Sequence, residues 1–189
     1  MPLQAIILAA GSSRRFPGNK LLQQLPGQTC LLDKSYRLAS HLTSEVLLVI
    51  NDDPRLAAYC QAQAYPFIIN TQAHTGMASS IVTGISASPE AEGWAIFLAD
   101  MPGIKSTTLA LLADSWSGHA ITVPTWQDKT GHPVIFSHSC YRQLLLLQGD
   151  RGARSLLQQH PDVHRVTTDD AGVCLDIDTE KDWQAYLQQ

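Results

Sequence analysis

The chain has 189 residues, 44% of them hydrophobic and 16% charged, which suits one domain with a sizeable core and carries no signature of disorder. A net charge of −4 argues against a general nucleic-acid-binding surface, so any polyanion site must be local. Four widely spaced cysteines with no CxxC pair, no signal-peptide pattern and no apolar run near the ~20 residues of a bilayer span disfavour a zinc cluster, a secreted disulfide framework and a membrane partner. The expected location is cytoplasmic.

Apolar runs alternate with segments of helical period. Ala5–Ala9 is apolar throughout, as a strand covered on both faces should be, and Val46–Ile50 and Trp94–Leu98 read the same way. Between the first two, Leu31–His41 carries a helical stripe. Ala57–Gln63 predicts a further helix, Phe67–Ile69 a strand, and Met77–Ile85 a helix opened by Gly76. Thr107–Ala113 predicts a helix with Ser106 placed to cap it. Ile121–Pro124 and Val134–Phe136 predict strands around the loop TWQDKTGH. Ser139–Leu147 and Ala153–Gln159 predict helices, Val163–Val166 and Cys174–Ile177 short strands, and Glu180–Leu187 a closing helix. Strand–helix alternation implies an α/β, Rossmann-like single domain over residues 1–189, with a mostly parallel sheet and helices on both faces.

Ligands of such sheets bind beyond the carboxyl ends of the strands. Gly11–Lys20 leaves the first strand at such an end. Gly11 frees the backbone, Ser12 and Ser13 add donors to an anion-binding nest, and Arg15 and Lys20 supply charge. The spacing matches neither GxxxxGK[ST] nor GxGxxG. Asp100 follows the third strand and should reach the same sheet edge, where it could hold a divalent cation; Pro102 and Gly103 turn the chain away. Asp176 and Asp178, two apart on a predicted strand, share one face. Gly76 precedes a helix with Ser79 and Ser80 in its first turn, an arrangement suited to an anion or to plain capping.

LAAGSSRRFPGNK resembles the signature of nucleotidyltransferases that join a nucleoside triphosphate to a phosphorylated acceptor. Leu8, Ala9, Ala10, Gly11, Ser13, Arg15 and Lys20 fall on the pattern, whereas Pro17 stands where it has glycine. The resemblance extends to DMP at Asp100 and to an aspartate stretch best matched by Asp176, both implied metal ligands. It also covers GMASSI, whose Gly76, Met77, Ser79 and Ser80 would border the nucleotide, together with Leu8–Ser13, Arg15 and Lys20. GHPVIF and GDRGAR are similar to the branch acting on molybdopterin. Gly131, His132, Pro133 and Arg154 would bind the acceptor there, while Asp150 could cap the helix after it.

Within that branch, LAAG resembles the cytidylyl-transferring members, whereas guanylyl-transferring members typically carry LAGG; the resemblance implies that the methyl group of Ala10 narrows the base pocket against guanine. The resemblance thus implies CMP transfer from CTP to the terminal phosphate of molybdenum-molybdopterin, with pyrophosphate released. Arg15, Lys20 and Asp100 would carry catalysis, Mg²⁺ (or Mn²⁺) would be the cofactor, and a recipient molybdoenzyme or its chaperone a further partner. A guanylyltransferase, another phosphorylated acceptor and a non-catalytic molybdopterin carrier are the alternatives.

Overall fold

The computed structural model describes residues 2–11, 19–25, 27 and 29–188. The predicted contacts Ser12, Ser13 and Arg15 lie outside the described residues, as does Pro17. Strand β1 (Leu3–Ala9) lies inside an eight-stranded sheet, flanked in parallel by β2 (Val46–Ile50) and β4 (Gly93–Leu98). Strand β3 (Phe67–Ile69) extends the sheet in parallel beyond β2.

Past β4 the direction reverses. β7 (Val134–Ser137) runs antiparallel to both β4 and β5 (Ile121–Trp126). β5 also pairs antiparallel with β6 (Lys129–Thr130) and parallel with β8 (Val163–Thr167). The fold is α/β, with a mixed, mostly parallel sheet of Rossmann-like kind.

Alternation along the strands explains why they read as continuous apolar runs. In β1, Ala5, Ile7 and Ala9 face one layer and Ile6 the other, and all four are buried. The first layer holds α1 (Leu31–Ser40), α2 (Pro54–Ala62), α4 (Ser106–Ser115) and α7 (Glu180–Leu187), through Leu31, Leu56, Leu109 and Trp183. The second holds α3 (Met77–Ala87), α5 (Tyr141–Leu145) and the short α6 (Arg154–Gln159) around Trp94 and Phe136. Burying each of these large side chains contributes roughly 1.5–3 kcal/mol.

Three local expectations are corrected. Ser106 is inside α4 rather than its cap: the cap residue is Lys105, with no capping side chain of its own. Cys174–Ile177 is not a strand; a 3-10 turn over Ala171–Cys174 is followed by chain without a ladder partner, so Asp176 and Asp178 do not share a sheet face. Within TWQDKTGH, β5 and β6 form a hairpin whose two turn residues, Gln127 (φ 47°) and Asp128 (φ 63°), are both left-handed.

A buried carboxylate joins the late segment to the loop after β4. Asp170 accepts from the Lys105 N–H at 2.8 Å, the Thr108 hydroxyl at 2.7 Å and the Gly172 N–H at 2.9 Å. It thereby caps α4 from a distance and fixes the chain that carries Asp176. Asp170→Ala leaves three donors without their acceptor, so urea denaturation should show a loss of about 3 kcal/mol. Asp170→Asn, which retains one acceptor oxygen, should lose less.

Candidate functional site

The parallel pairing of β1 with β4 brings their carboxyl ends together, Leu8 lying beside Leu98 and the Ala99 N–H donating to the Leu8 carbonyl at 3.2 Å. Gly11 and Asp100 therefore leave the same sheet edge, with Ala9 and Ala10 buried beneath it and Leu8 half-buried. When the chain is described again at Asn19, that side chain accepts from the Leu21 N–H at 3.0 Å and donates to Asp53 at 3.1 Å. These bonds start a 3-10 turn at Lys20–Leu22 and direct Lys20 inward.

Lys20 is buried at 7% exposure, and its ammonium has partners for all three of its protons. It donates to Asp100 Oδ2 at 2.9 Å, to Asp178 Oδ1 at 3.4 Å and to the main-chain carbonyl of Ile177. The Ile177 N–H in turn donates to the Asp100 carbonyl at 2.9 Å, which ties the two acidic segments together. Asp176 is an exposed residue beside this group. Its carboxyl is pushed above the usual carboxylate range by desolvation and by the charges of Asp178 and Asp100, with Lys20 opposing. Among the described residues, no three His, Cys, Asp or Glu side chains form a group able to hold a metal ion.

Gly76 starts α3 with φ 118°, and a Cβ there would fall 2.5 Å from Asp150 Oδ1 and 2.6 Å from the Gly149 carbonyl oxygen. The Ala78 N–H donates to that carbonyl at 3.0 Å, so the GMASS and GDRGAR stretches meet. Asp150 packs there; no side-chain hydrogen bond caps α6. Ser79 and Ser80 are engaged by the buried Asn70 amide at 2.9 and 3.0 Å, while Met77 is exposed.

Gly131 abuts the turn after β8: a Cβ there would lie 2.3 Å from the Val173 carbonyl oxygen, which instead accepts from the His132 N–H at 2.8 Å. Pro133 is buried and Arg154 exposed.

Met77, Gly131, His132 and Arg154 line one pocket of about 1000 Å³. Its other walls include Lys129 on the hairpin and Arg151, two cations that motif reading passed over. His132 connects the pocket with the acidic group. Burial lowers its pKa below the ordinary 6.5, against the opposing influence of the Ile96 carbonyl and the Asp100 and Asp176 charges. Asn19, Asn70, Asp170 and the Ile177 carbonyl were also missed. An Asn just before the lysine and an Asp-x-Gly turn were the available signals for the first and third.

Residues 5–164 match the MobA-like NTP transferase domain. The chain belongs to this family of nucleotidyltransferases. It is 30% identical over 194 residues to the purine catabolism protein PucB of Bacillus subtilis, covering 96% of this chain and 94% of that one. To nicotine blue oxidoreductase of Paenarthrobacter nicotinovorans it is 26% identical, covering 92% and 91%. A probable molybdenum cofactor guanylyltransferase of Chloroflexus aggregans is 34% identical over 122 residues, 60% of this chain and 53% of that one. Among solved structures, the Rv0371c homolog of Mycobacterium sp. strain JC1 superposes with a TM-score of 0.84 at 28% identity, covering 98% and 95%. The manganese complex of Rv0371c from Mycobacterium tuberculosis H37Rv has a TM-score of 0.80 at 23% identity, covering 99% and 98%, a likeness of fold.

Asp53 is the outer anchor of the Lys20 turn, and its titration is the handle on it. The Arg55 guanidinium, bonded at 2.9 and 3.1 Å, holds its carboxyl down to about 2 from an ordinary 3.8. A depressed folded pKa contributes stability that is present above pH 3.8 and lost as pH falls through about 2. Asp53→Asn should therefore be less stable at pH 7 and show a flatter loss of stability between pH 4 and 2 in acid titrations followed by circular dichroism.

Proposed function

We propose that the protein transfers CMP from CTP to the terminal phosphate of molybdopterin, carrying its molybdenum, and releases pyrophosphate. The observation that carries this reading is the meeting of Lys20 and Asp100 at the adjoining ends of β1 and β4, beside a pocket walled by Gly131, His132 and Arg154. In this reading the triphosphate lies along the Gly11–Lys20 loop. Leu8, Ala9, Ala10, Gly11, Ser12, Ser13 and Arg15 hold it on one side, and Gly76, Met77, Ser79 and Ser80 border base or ribose on the other. Gly131, His132, Pro133 and Arg154 form the acceptor side. The exposed Arg154 guanidinium suits an anionic arm of the acceptor.

Carboxylates beside Lys20 are hard oxygen donors, suited to Mg²⁺ or Mn²⁺, and a site with one or two carboxylates plus substrate phosphates is the usual arrangement for magnesium. Asp100, whose second oxygen is not engaged by Lys20, and Asp176, which has no bond to that ammonium, would hold the ion. When bound, the cation neutralises phosphate charge and withdraws electron density from the α-phosphorus. The chain's own residues align the reactants. Lys20 exchanges its longest contact, the 3.4 Å one to Asp178, for a phosphate oxygen and keeps its bond to Asp100. Arg15 meets the charge that builds on the leaving pyrophosphate. The acceptor phosphate is already anionic at neutral pH, so the transfer needs no strong base; alignment and charge neutralisation carry it.

GTP is the second reading, favoured by the name of the Chloroflexus aggregans relative. The buried Ala10 methyl at the sheet edge supports CTP, as the smaller base suits a narrowed pocket.

Pyrophosphate release measured with each of CTP, GTP, ATP and UTP, with and without molybdenum-loaded molybdopterin, should be acceptor-dependent and at least about tenfold faster with CTP. A GTP preference selects the guanylyl reading, and release indifferent to the acceptor rejects both. Lys20→Ala and Asp100→Ala should each lower turnover by about a hundredfold or more, and should also unfold at a lower temperature than the parent because each strips a partner from the buried ion pair, while remaining folded by circular dichroism at the assay temperature; full activity in both variants rejects these roles. EDTA should abolish turnover, and Mg²⁺ or Mn²⁺ should restore it.

A further inference from the structure

Asp100 is aimed by its backbone as well as by Lys20, for three consecutive peptide units are held around it. In the unit before Ala99, the N–H donates to the Leu8 carbonyl at 3.2 Å and the Leu98 carbonyl accepts from Met101 at 3.3 Å. In the unit after Asp100, the carbonyl accepts from the Ile177 N–H at 2.9 Å, and the N–H is that same Met101 donor. The unit between Ala99 and Asp100 lies past the ladder that pairs β4 with β1, and no backbone group bonds it among the described residues. Its carbonyl accepts instead from the Ser35 hydroxyl of α1, at 2.7 Å.

The placement of Ser35 is unusual for a serine. Leu31, Ser35 and Ala39 recur every four residues along α1, so they form one row on the helix, and all three are buried. A hydroxyl in such a row is unfavourable unless it is bonded. The helix offers its own Leu31 carbonyl at 3.1 Å, the common local partner of a helical serine. A hydroxyl has one proton, and here the shorter bond crosses to Ala99. With the peptide units on both sides of Asp100 held, its backbone torsions have little freedom, and the carboxylate turns only about its side-chain bonds.

We propose that Ser35 is a positioning residue for the transfer: through the Ala99 carbonyl it sets the direction in which Asp100 presents its carboxylate. It acts through that carbonyl and touches neither nucleotide nor acceptor. This assignment rests on the reading that Asp100 and Asp176 hold the divalent ion. Without the hydroxyl, the Ala99–Asp100 unit is free to turn toward another donor, and the Asp100 oxygen not engaged by Lys20 loses its fixed direction. Groups that orient a ligating side chain are worth on the order of ten- to a hundredfold in metal affinity or activity.

The test compares Ser35→Ala with Leu38→Ala, a truncation on the same helix that removes packing against the core and leaves the Ala99 bond in place. Thermal unfolding, steady-state pyrophosphate release and the affinity for Mn²⁺ alone, read from the EPR signal of the free ion, are measured for both. Ser35→Ala should lower kcat about tenfold and weaken Mn²⁺ binding about tenfold, with the acceptor KM within about twofold of the parent. Ser35→Thr, which keeps a hydroxyl on the same carbon, should stay within about threefold of the parent. Leu38→Ala should unfold at a lower temperature yet keep the parent kcat and Mn²⁺ affinity. A Ser35→Ala protein with the kcat and Mn²⁺ affinity of the parent overturns the inference, as do losses in Leu38→Ala that match those in Ser35→Ala; both leave the functional reading intact. A parent that releases no pyrophosphate from any of the four nucleotides, yet binds Mn²⁺ more tightly than Ser35→Ala does, overturns the functional reading and supports the hold of Ser35 on Asp100. A parent that neither turns over nor binds Mn²⁺ overturns both.

Discussion

The arrangement of the candidate site depends on one buried ammonium. Lys20 has three protons and three acceptors, and those acceptors come from the end of β4 and from the segment before α7. A cation taken out of water needs compensation of this kind, because the desolvation penalty is recovered only through close opposite charge and satisfied donors. The converse holds for the aspartates: Asp100, Asp176 and Asp178 lie near one another, and their mutual repulsion is tolerated because a positive charge sits among them. The lysine thus sets where two otherwise distant stretches meet, and the Ile177–Asp100 backbone bond closes the same junction.

The sheet explains why that junction is where it is. β1 and β4 are parallel neighbours, so their carboxyl ends emerge side by side, and a chain leaving one must face a chain leaving the other. β7 then runs back beside β4, which places the His132–Pro133 stretch just ahead of it close to the same edge. The reversal of direction is what lets the pocket lined by Gly131 and His132 border the Lys20 group.

Much of this was legible in the sequence, and the reasons are physical. β2, β3 and α7 have the boundaries that their patterns predict, the apolar run of β2 marking a strand covered on both faces and the shorter run of β3 the partly buried strand at the sheet edge. Lys20 and Asp100 could be singled out because charged residues stand at the ends of apolar strands, whereas His132 and Arg154 were pointed to by the resemblance of GHPVIF and GDRGAR. What the pattern could not carry was long-range satisfaction of polar groups. Nothing local says that Asp170 completes the start of α4 some 65 residues earlier, or that a main-chain carbonyl at Ile177 is a partner of Lys20. The period-two argument for Asp176 and Asp178 failed for a related reason: alternation has meaning only where a ladder holds the chain extended. The β5–β6 hairpin was hidden because Gln127 and Asp128 adopt left-handed turn geometry without the glycine that usually announces it.

The contact of Gly76 with Gly149 and Asp150 couples two parts of the molecule that the sequence separates by more than seventy residues. The start of α3 and the loop before α6 touch with no room for even one additional carbon on Gly76. A side chain or a ligand group that needs extra room at this seam therefore has to part the start of α3 from the loop before α6.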